Sequence, residues 1–136
     1  MSVLKEKRNE SNVQFLVNAR DLEIFTMRKC LKIPKRYGRV FTEDLVHLSA
    51  NVYNNLKMAN SIYPTNKEKI QRRTNYFDEA LRNLYCLISQ VDIAKELMLS
   101  NLTEYAWIHW LKLINEEITM ISAIKKSDTK LLETMK

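Results

Sequence analysis

The sequence predicts an all-α fold, an antiparallel up-down-up-down four-helix bundle that occupies residues 1–136 as a single domain. One glycine and two prolines among 136 residues leave little material for the tight turns of a β fold. An apolar fraction of 46% is large enough for a core, and the length is typical of one domain. Four segments with helical periodicity follow one another with short breaks, and short connections make neighbouring helices antiparallel.

The first helix is predicted at about residues 12–33. Ser11 is a good N-cap, and Pro34 disfavours helix in the residue before it. The apolar side chains of this segment recur at helical spacing and form one face, made of Phe15, Leu16, Ala19, Leu22 and Phe25.

The second helix is predicted at about residues 42–63, ending before Pro64. Thr42 can cap it, and Glu43 and Asp44 fall in the first turn, where the helix dipole favours negative charge. Its apolar stripe steps by three or four residues and consists of Leu45, Leu48, Val52, Leu56, Ala59 and Tyr63.

The third helix is predicted at about residues 67–99, with Asn66 as its cap. A heptad rhythm runs through it for four repeats, which is typical of the core face of a bundle helix. At 1.5 Å per residue it spans roughly 45 Å, so its neighbours must also be long. The stripe consists of Ile70, Phe77, Ala80, Leu84, Leu87, Val91, Ala94 and Met98.

The fourth helix is predicted at about residues 102–126, after Asn101, with Glu104 completing a capping box. Its apolar face is unusually wide, so either the helix is central in the bundle or one stripe buries against another subunit. The remaining residues 127–136 are weakly apolar and are expected to be a frayed extension. One stripe consists of Trp107, Leu111, Ile114, Ile118 and Ile121. The other consists of Ala106, Trp110, Leu113, Met120 and Ile124.

The positive charge of the chain is concentrated near its first third. Residues 1–40 hold 10 Lys and Arg against 4 Asp and Glu, whereas residues 41–136 hold 12 of each. Such an excess favours an anionic partner. Cations at a helix end also offset the helix dipole, but this explains only those before Pro34. Six cations without a carboxylate among them form the candidate binding segment: Arg28, Lys29, Lys32, Lys35, Arg36 and Arg39.

A second basic group opens the third helix. In an antiparallel bundle it lies at the opposite end from the first group, and an oligomer would bring several such groups within reach of one partner. Arginine suits phosphate because its planar fork binds two oxygens. Tyr37 and Tyr76, near these cations, either stack on bases or pack in the core. The second group consists of Lys67, Lys69, Arg72 and Arg73.

The residues of catalytic and metal sites do not form a recognisable pattern, so we expect no enzyme and no cofactor. A di-metal bundle needs two Glu-x-x-His-type pairs, but only Asp44 and His47 have that spacing; His109 has Ala106 at the matching place. The adjacent carboxylates Asp78 and Glu79, and Glu116 and Glu117, are expected to be solvated or salt-bridged. Both cysteines, Cys30 and Cys86, are expected to be buried thiols.

No leader-like segment and no apolar run of about 18 residues is present. These features predict a soluble, cytoplasmic protein in which the thiols stay reduced.

Four segments of the chain carry a resemblance to a known family: KIPKRYGRVF, NLKMANSIYP, RRTNYFDEALRNL and ISAIKKSD. At this spacing the chain resembles, over about residues 20–128, the accessory variability determinant proteins of diversity-generating retroelements. That family is similar to the four-helix proteins encoded in intervening sequences of bacterial large-subunit ribosomal RNA.

The resemblance implies a basic homopentamer that binds the reverse transcriptase of the element and RNA, and so supports mutagenic reverse transcription and retrohoming. It makes Lys35, Arg36 and Arg39 the first candidates for contact with nucleic acid or polymerase, and Arg72 and Arg73 the second. The alternative is a structural oligomeric bundle of the intervening-sequence type, with a protein partner and no nucleic-acid role. The sequence leaves the choice between RNA and DNA open.

Overall fold

The computed structural model describes the backbone of residues 2–135 and the side chains of residues 13–135. Within these residues the chain forms four long α-helices and no β-strand. Three short helical turns, Lys35–Tyr37, Gly38–Thr42 and Leu99–Asn101, lie in the links. The long helices are α1 (Ser2–Cys30), α2 (Glu43–Asn60), α3 (Lys67–Met98) and α4 (Glu104–Thr134).

The four helices pack as an antiparallel bundle, which confirms the predicted fold class. α1 and α3 each pack against both α2 and α4, so the helices enclose a central core. The α1–α2 link and residues 99–103 lie at one end, called here the link end. Residues 61–66, between α2 and α3, lie at the other, called the far end.

Aromatic side chains hold the core together across the bundle. The Phe15 and Phe77 rings meet edge to face, 5.9 Å apart, and join the diagonal pair α1 and α3. The Trp110 indole donates a hydrogen bond to the buried Thr26 hydroxyl at 3.0 Å, joining α4 to α1. Every residue of the stripe predicted on the third helix is buried, from Ile70 to Met98.

The wide apolar face of α4 is used largely within one chain. Trp107, Ile114 and Ile121 of one stripe are buried, as are Ala106 and Trp110 of the other. The remaining members of both stripes are half-buried and pack against this core. The sequence left open whether the helix is central in the bundle or buries one stripe against another subunit. Packing in the chain's own core accounts for both stripes.

The first two helices differ from the prediction at all four ends. α1 ends at Cys30 rather than at about residue 33. α1 begins at Ser2, so Ser11 lies within the helix rather than at its cap. Thr42 has helical dihedral angles and makes no side-chain cap, because a turn of π-helix already precedes α2. α2 stops at Asn60, which leaves Tyr63 in the following segment with its side chain exposed.

α4 also differs from the prediction at both ends. Its cap is Thr103 rather than Asn101, and the Thr103 hydroxyl accepts a hydrogen bond from the Ala106 amide at 3.1 Å. The segment expected to fray continues as regular helix to Thr134. The physical reason is a contact that the local sequence does not reveal, since Asp128 on this last stretch pairs with an arginine of α3.

Candidate nucleic-acid interface

The α1–α2 link, residues 31–42, is folded into successive helical turns. The Ile33 amide donates to the Cys30 carbonyl at 3.1 Å, and the Tyr37 amide donates to the Pro34 carbonyl at 3.0 Å. A π-helical turn over Gly38–Thr42 then leads directly into α2. Such turns are rare and recur at functional sites. These hydrogen bonds order the backbone that carries the charged side chains of the link.

Three side chains anchor the link to the bundle. Ile33 and Phe41 are buried in the core. The Tyr37 ring stacks on Phe41, with centroids 5.7 Å apart and planes within 7° of parallel. The Arg36 guanidinium lies 4.9 Å from the centre of the Tyr37 ring. Of the two alternatives for Tyr37, the structure favours packing, and half-buried Tyr76 packs against the core as well.

The six cations from Arg28 to Arg39 lie together at the link end, and we call them the basic link. All except Lys29, which is half-buried, are exposed to solvent. Among the side chains of residues 13–135, none of the six forms a salt bridge. The pKa of Lys29 is lowered, first by partial desolvation and then by the neighbouring charges of Lys32 and Arg28. Ion pairs among these described side chains therefore do not neutralise the positive charge of this surface.

A row of aromatic rings continues from the basic link onto α4. The Lys29 ammonium lies 5.0 Å from the centre of the Phe25 ring, and Phe25 meets His109 edge to face at 5.1 Å. His109 in turn stacks on Tyr105 at 5.8 Å, with the planes 4° apart. The spacing of four residues between Tyr105 and His109 could have indicated their contact. The approach of Phe25 could not be predicted, because it depends on how α1 packs on α4.

The second basic group lies at the far end and is split between solvent and interior. Lys67, Lys69 and Arg72 are exposed. Arg73 instead donates from Nε to the Asp128 carboxylate at 2.7 Å and from Nη1 to the Ile62 carbonyl at 3.3 Å. The structure does not bring this group to the basic link, and it gives Arg73 partners within the chain.

Glu117 is a buried carboxylate that the sequence reasoning missed. Its side chain is fully inaccessible, and neither carboxylate oxygen has a hydrogen-bond partner among the described residues. Burial raises its pKa to about 8. The expectation of a solvated or salt-bridged group was wrong for Glu117, which lies three residues from Ile114 and four from Ile121, on the buried face of α4.

The other paired carboxylates agree with the expectation. Asp78 pairs with Lys125, Glu79 pairs with Arg82 at 2.7 Å, and Glu116 lies 3.9 Å from Lys112. A cleft between α3 and α4 contains four cations, but two acids lie beside them, so its charge is partly compensated. Its charged residues are Asp78, Arg82, Lys125, Lys126, Lys130 and Glu133.

The two cysteines differ in environment. Cys30 is half-buried beneath the link, and burial raises its pKa to about 11, so the thiol is protonated and a poor nucleophile. Cys86 is exposed, which corrects the expectation that both thiols are buried. Its position on α3 places it on the outer surface, between the buried positions Leu84 and Leu87.

Comparison of the chain with models of protein families, with curated proteins and with solved structures finds no match in any of the three. The resemblance drawn from the four sequence segments therefore stays a prediction. Among the described helices, none combines the length and the apolar character that crossing a membrane requires.

Proposed function

We propose that this chain is a non-catalytic accessory protein that binds RNA and a reverse transcriptase through its basic link. This is the role implied by the resemblance to the accessory proteins of diversity-generating retroelements. The observation that carries the proposal is the basic link itself. Six cations lie on the end of α1 and on the anchored link that follows it, and none of them is ion-paired within residues 13–135.

The anchoring of the link supports binding of a polyanion. Ile33 and Phe41 fix the backbone in the core, so binding does not require the whole segment to become ordered, and that lowers the entropic cost of association. Lysine and arginine contacts with phosphate release counterions and are independent of base sequence. If all six cations contact single-stranded RNA, the logarithm of affinity falls with the logarithm of salt concentration with a slope of about −4.

The proposal includes a cytoplasmic homo-oligomer, a pentamer by resemblance, that repeats the basic link around a ring. Large apolar side chains on the outer faces of α3 and α4 support an oligomer, because they are exposed in the single chain: Ile93, Leu97 and Ile108. The same side chains favour the second candidate, a structural oligomeric bundle of the intervening-sequence type with a protein partner. RNA binding separates the two.

The test is a charge reversal of the link, in the variant Lys35→Glu, Arg36→Glu, Arg39→Glu. We expect RNA affinity to collapse and the salt slope to become shallower by about 2, since three phosphate contacts are lost. Pull-down of the reverse transcriptase should weaken as well. Affinity is measured by fluorescence anisotropy over a salt series, and thermal unfolding checks that the bundle is intact.

The far end supplies a control with the same change in net charge. The variant Lys67→Glu, Lys69→Glu, Arg72→Glu also reverses three exposed cations. We expect it to keep most of the RNA affinity, since these side chains lie at the opposite end. Equal losses in both variants would show that only the net charge matters. An unchanged affinity in the link variant would reject the proposal in favour of the structural bundle.

A further inference from the structure

Tyr105 is an exposed aromatic residue in an ordered position. Its side chain is 76% exposed, although it lies in the first turn of α4 beside the buried residues Ala106 and Trp107. The Thr103 cap, which binds the Ala106 amide, fixes the turn that carries it. The ring is stacked nearly parallel on His109. An exposed ring held in this way presents a flat surface without needing to be ordered first.

The inner side of this pair is supported by the bundle. Phe25 of α1 meets His109 edge to face, with planes at 67°, and also meets Trp110 of the core at 6.1 Å. Tyr105 and His109 are therefore joined to packed residues of two helices. We call Tyr105 and His109 the aromatic shelf.

Positive charge is connected to the aromatic shelf through the Phe25 ring. The Lys29 ammonium sits over the same Phe25 ring that contacts His109, so three contacts of 5 to 6 Å connect Lys29 with Tyr105. Lys29 belongs to the basic link, whose other five cations are exposed. A strand whose phosphates lie on the basic link would thus have bases within reach of the shelf.

We propose that the aromatic shelf stacks unpaired bases, so that the basic link and the shelf together form a site for single-stranded nucleic acid. This inference rests on the proposed function, because it assumes that the basic link holds phosphates. Aromatic rings can stack only on bases that have left a duplex, and such stacking tolerates any base sequence. The cations supply attraction to the backbone of any nucleic acid, and the shelf supplies the preference for a single strand.

The test compares Tyr105→Ala with Tyr105→Phe on two RNA probes, a short uridine single strand and a duplex of the same length. We expect Tyr105→Ala to weaken single-strand binding roughly tenfold, the scale of one lost base stack, and to leave duplex binding within about twofold. Tyr105→Phe, which keeps the ring, should bind as the parent protein does. The salt slope should stay the same, since no cation is removed.

Tyr63 provides a matched control. Its side chain is also 76% exposed, but it lies at the far end of the bundle. We expect Tyr63→Ala to bind both probes with unchanged affinity. A third probe, an abasic strand with the same phosphates, should bind the parent protein and Tyr105→Ala equally, because it has no base to stack.

The outcomes separate this inference from the proposed function. Equal losses on single strand and duplex, or an unchanged affinity in Tyr105→Ala, would overturn the shelf. If the reversed link variant still loses RNA binding in that case, the proposed function stands without it. If the parent protein binds neither probe, both are rejected.

Discussion

The two basic groups of this chain look alike in sequence but differ in what their charges do. At the link end, six cations extend from the end of α1 and from the anchored link, without a carboxylate partner within residues 13–135. At the far end, Arg73 turns inward to Asp128, Ile62 and the face of Phe77. A cation is available to a binding partner only when the fold gives it no ion pair within the chain. The density of charge in a sequence does not reveal which cations are paired.

The largest effect that can test this comparison is expected at Arg73. Replacing Arg73 with alanine should lower the free energy of unfolding by about 3 kcal/mol, because Asp128 would be left buried and unpaired. Asp128→Ala should have an effect of similar size, since it leaves the guanidinium without its partner. Urea denaturation measures both. RNA affinity under native conditions should stay the same.

The neighbouring Arg72 is the control for Arg73. It has the same chemistry but is exposed, so Arg72→Ala should change the free energy of unfolding by no more than about 0.5 kcal/mol. A comparable loss in both variants would show that helix α3 needs either charge at its start. The two arginines would then no longer differ as the structure indicates.

Glu117 lies at neither end of the bundle. It shows what a buried carboxylate without a partner among the described residues costs in stability. Its pKa is about 8 in the folded chain, against an ordinary value of 4.5. The folded state therefore holds a proton that the unfolded state loses, so stability falls as pH rises from about 4.5 to 8 and is level above that range. At about 1.4 kcal/mol per pH unit, the loss between pH 5 and 7 is about 3 kcal/mol.

The variant Glu117→Gln isolates this effect, because the amide has the shape of the protonated carboxyl but does not titrate. The difference in unfolding free energy between this variant and the parent should grow in favour of the variant from pH 5 to pH 8. Urea denaturation at several pH values measures it. A difference that stays constant with pH would mean that Glu117 is solvated or paired in the folded state.

The parts of this structure that follow from local pattern were predictable from sequence. The heptad stripe of α3 is buried at every position, and Asn66 caps that helix as expected. The parts that depend on contacts between helices were not predictable. The last turns of α4 are held by Asp128 through Arg73, and the approach of Phe25 to His109 follows from the packing of α1 on α4.

Glu117 and the aromatic shelf were missed for a different reason. Glu117 lies on the buried face of its helix by spacing alone, but a carboxylate at such a place contradicts the usual rule that buried charges are paired. The helical spacing gives the buried position, but the absence of a partner among the described residues depends on the packing of the fold. The candidate site was therefore predicted as a segment of charge, whereas its aromatic part depended on the fold.

The smallest effect concerns the helix caps, one at each end of the bundle. Asn66 accepts from the Lys69 amide at 2.9 Å at the far end, and Thr103 accepts from the Ala106 amide at 3.1 Å at the link end. Replacing either with alanine should cost about 1 kcal/mol of stability, since each removes one capping bond. The two ends should thus respond alike to thermal or urea denaturation.

RNA binding should separate these two cap variants. Thr103→Ala loosens the first turn of α4, which carries Tyr105, so we expect weaker binding of single-stranded RNA with little change for duplex. Asn66→Ala loosens only the far end and should bind both probes as the parent does. If the cap variants match in stability and also in RNA affinity, the link end has no special role in binding. A difference confined to the single strand would show that the order of α4's first turn, and not charge alone, distinguishes the two ends.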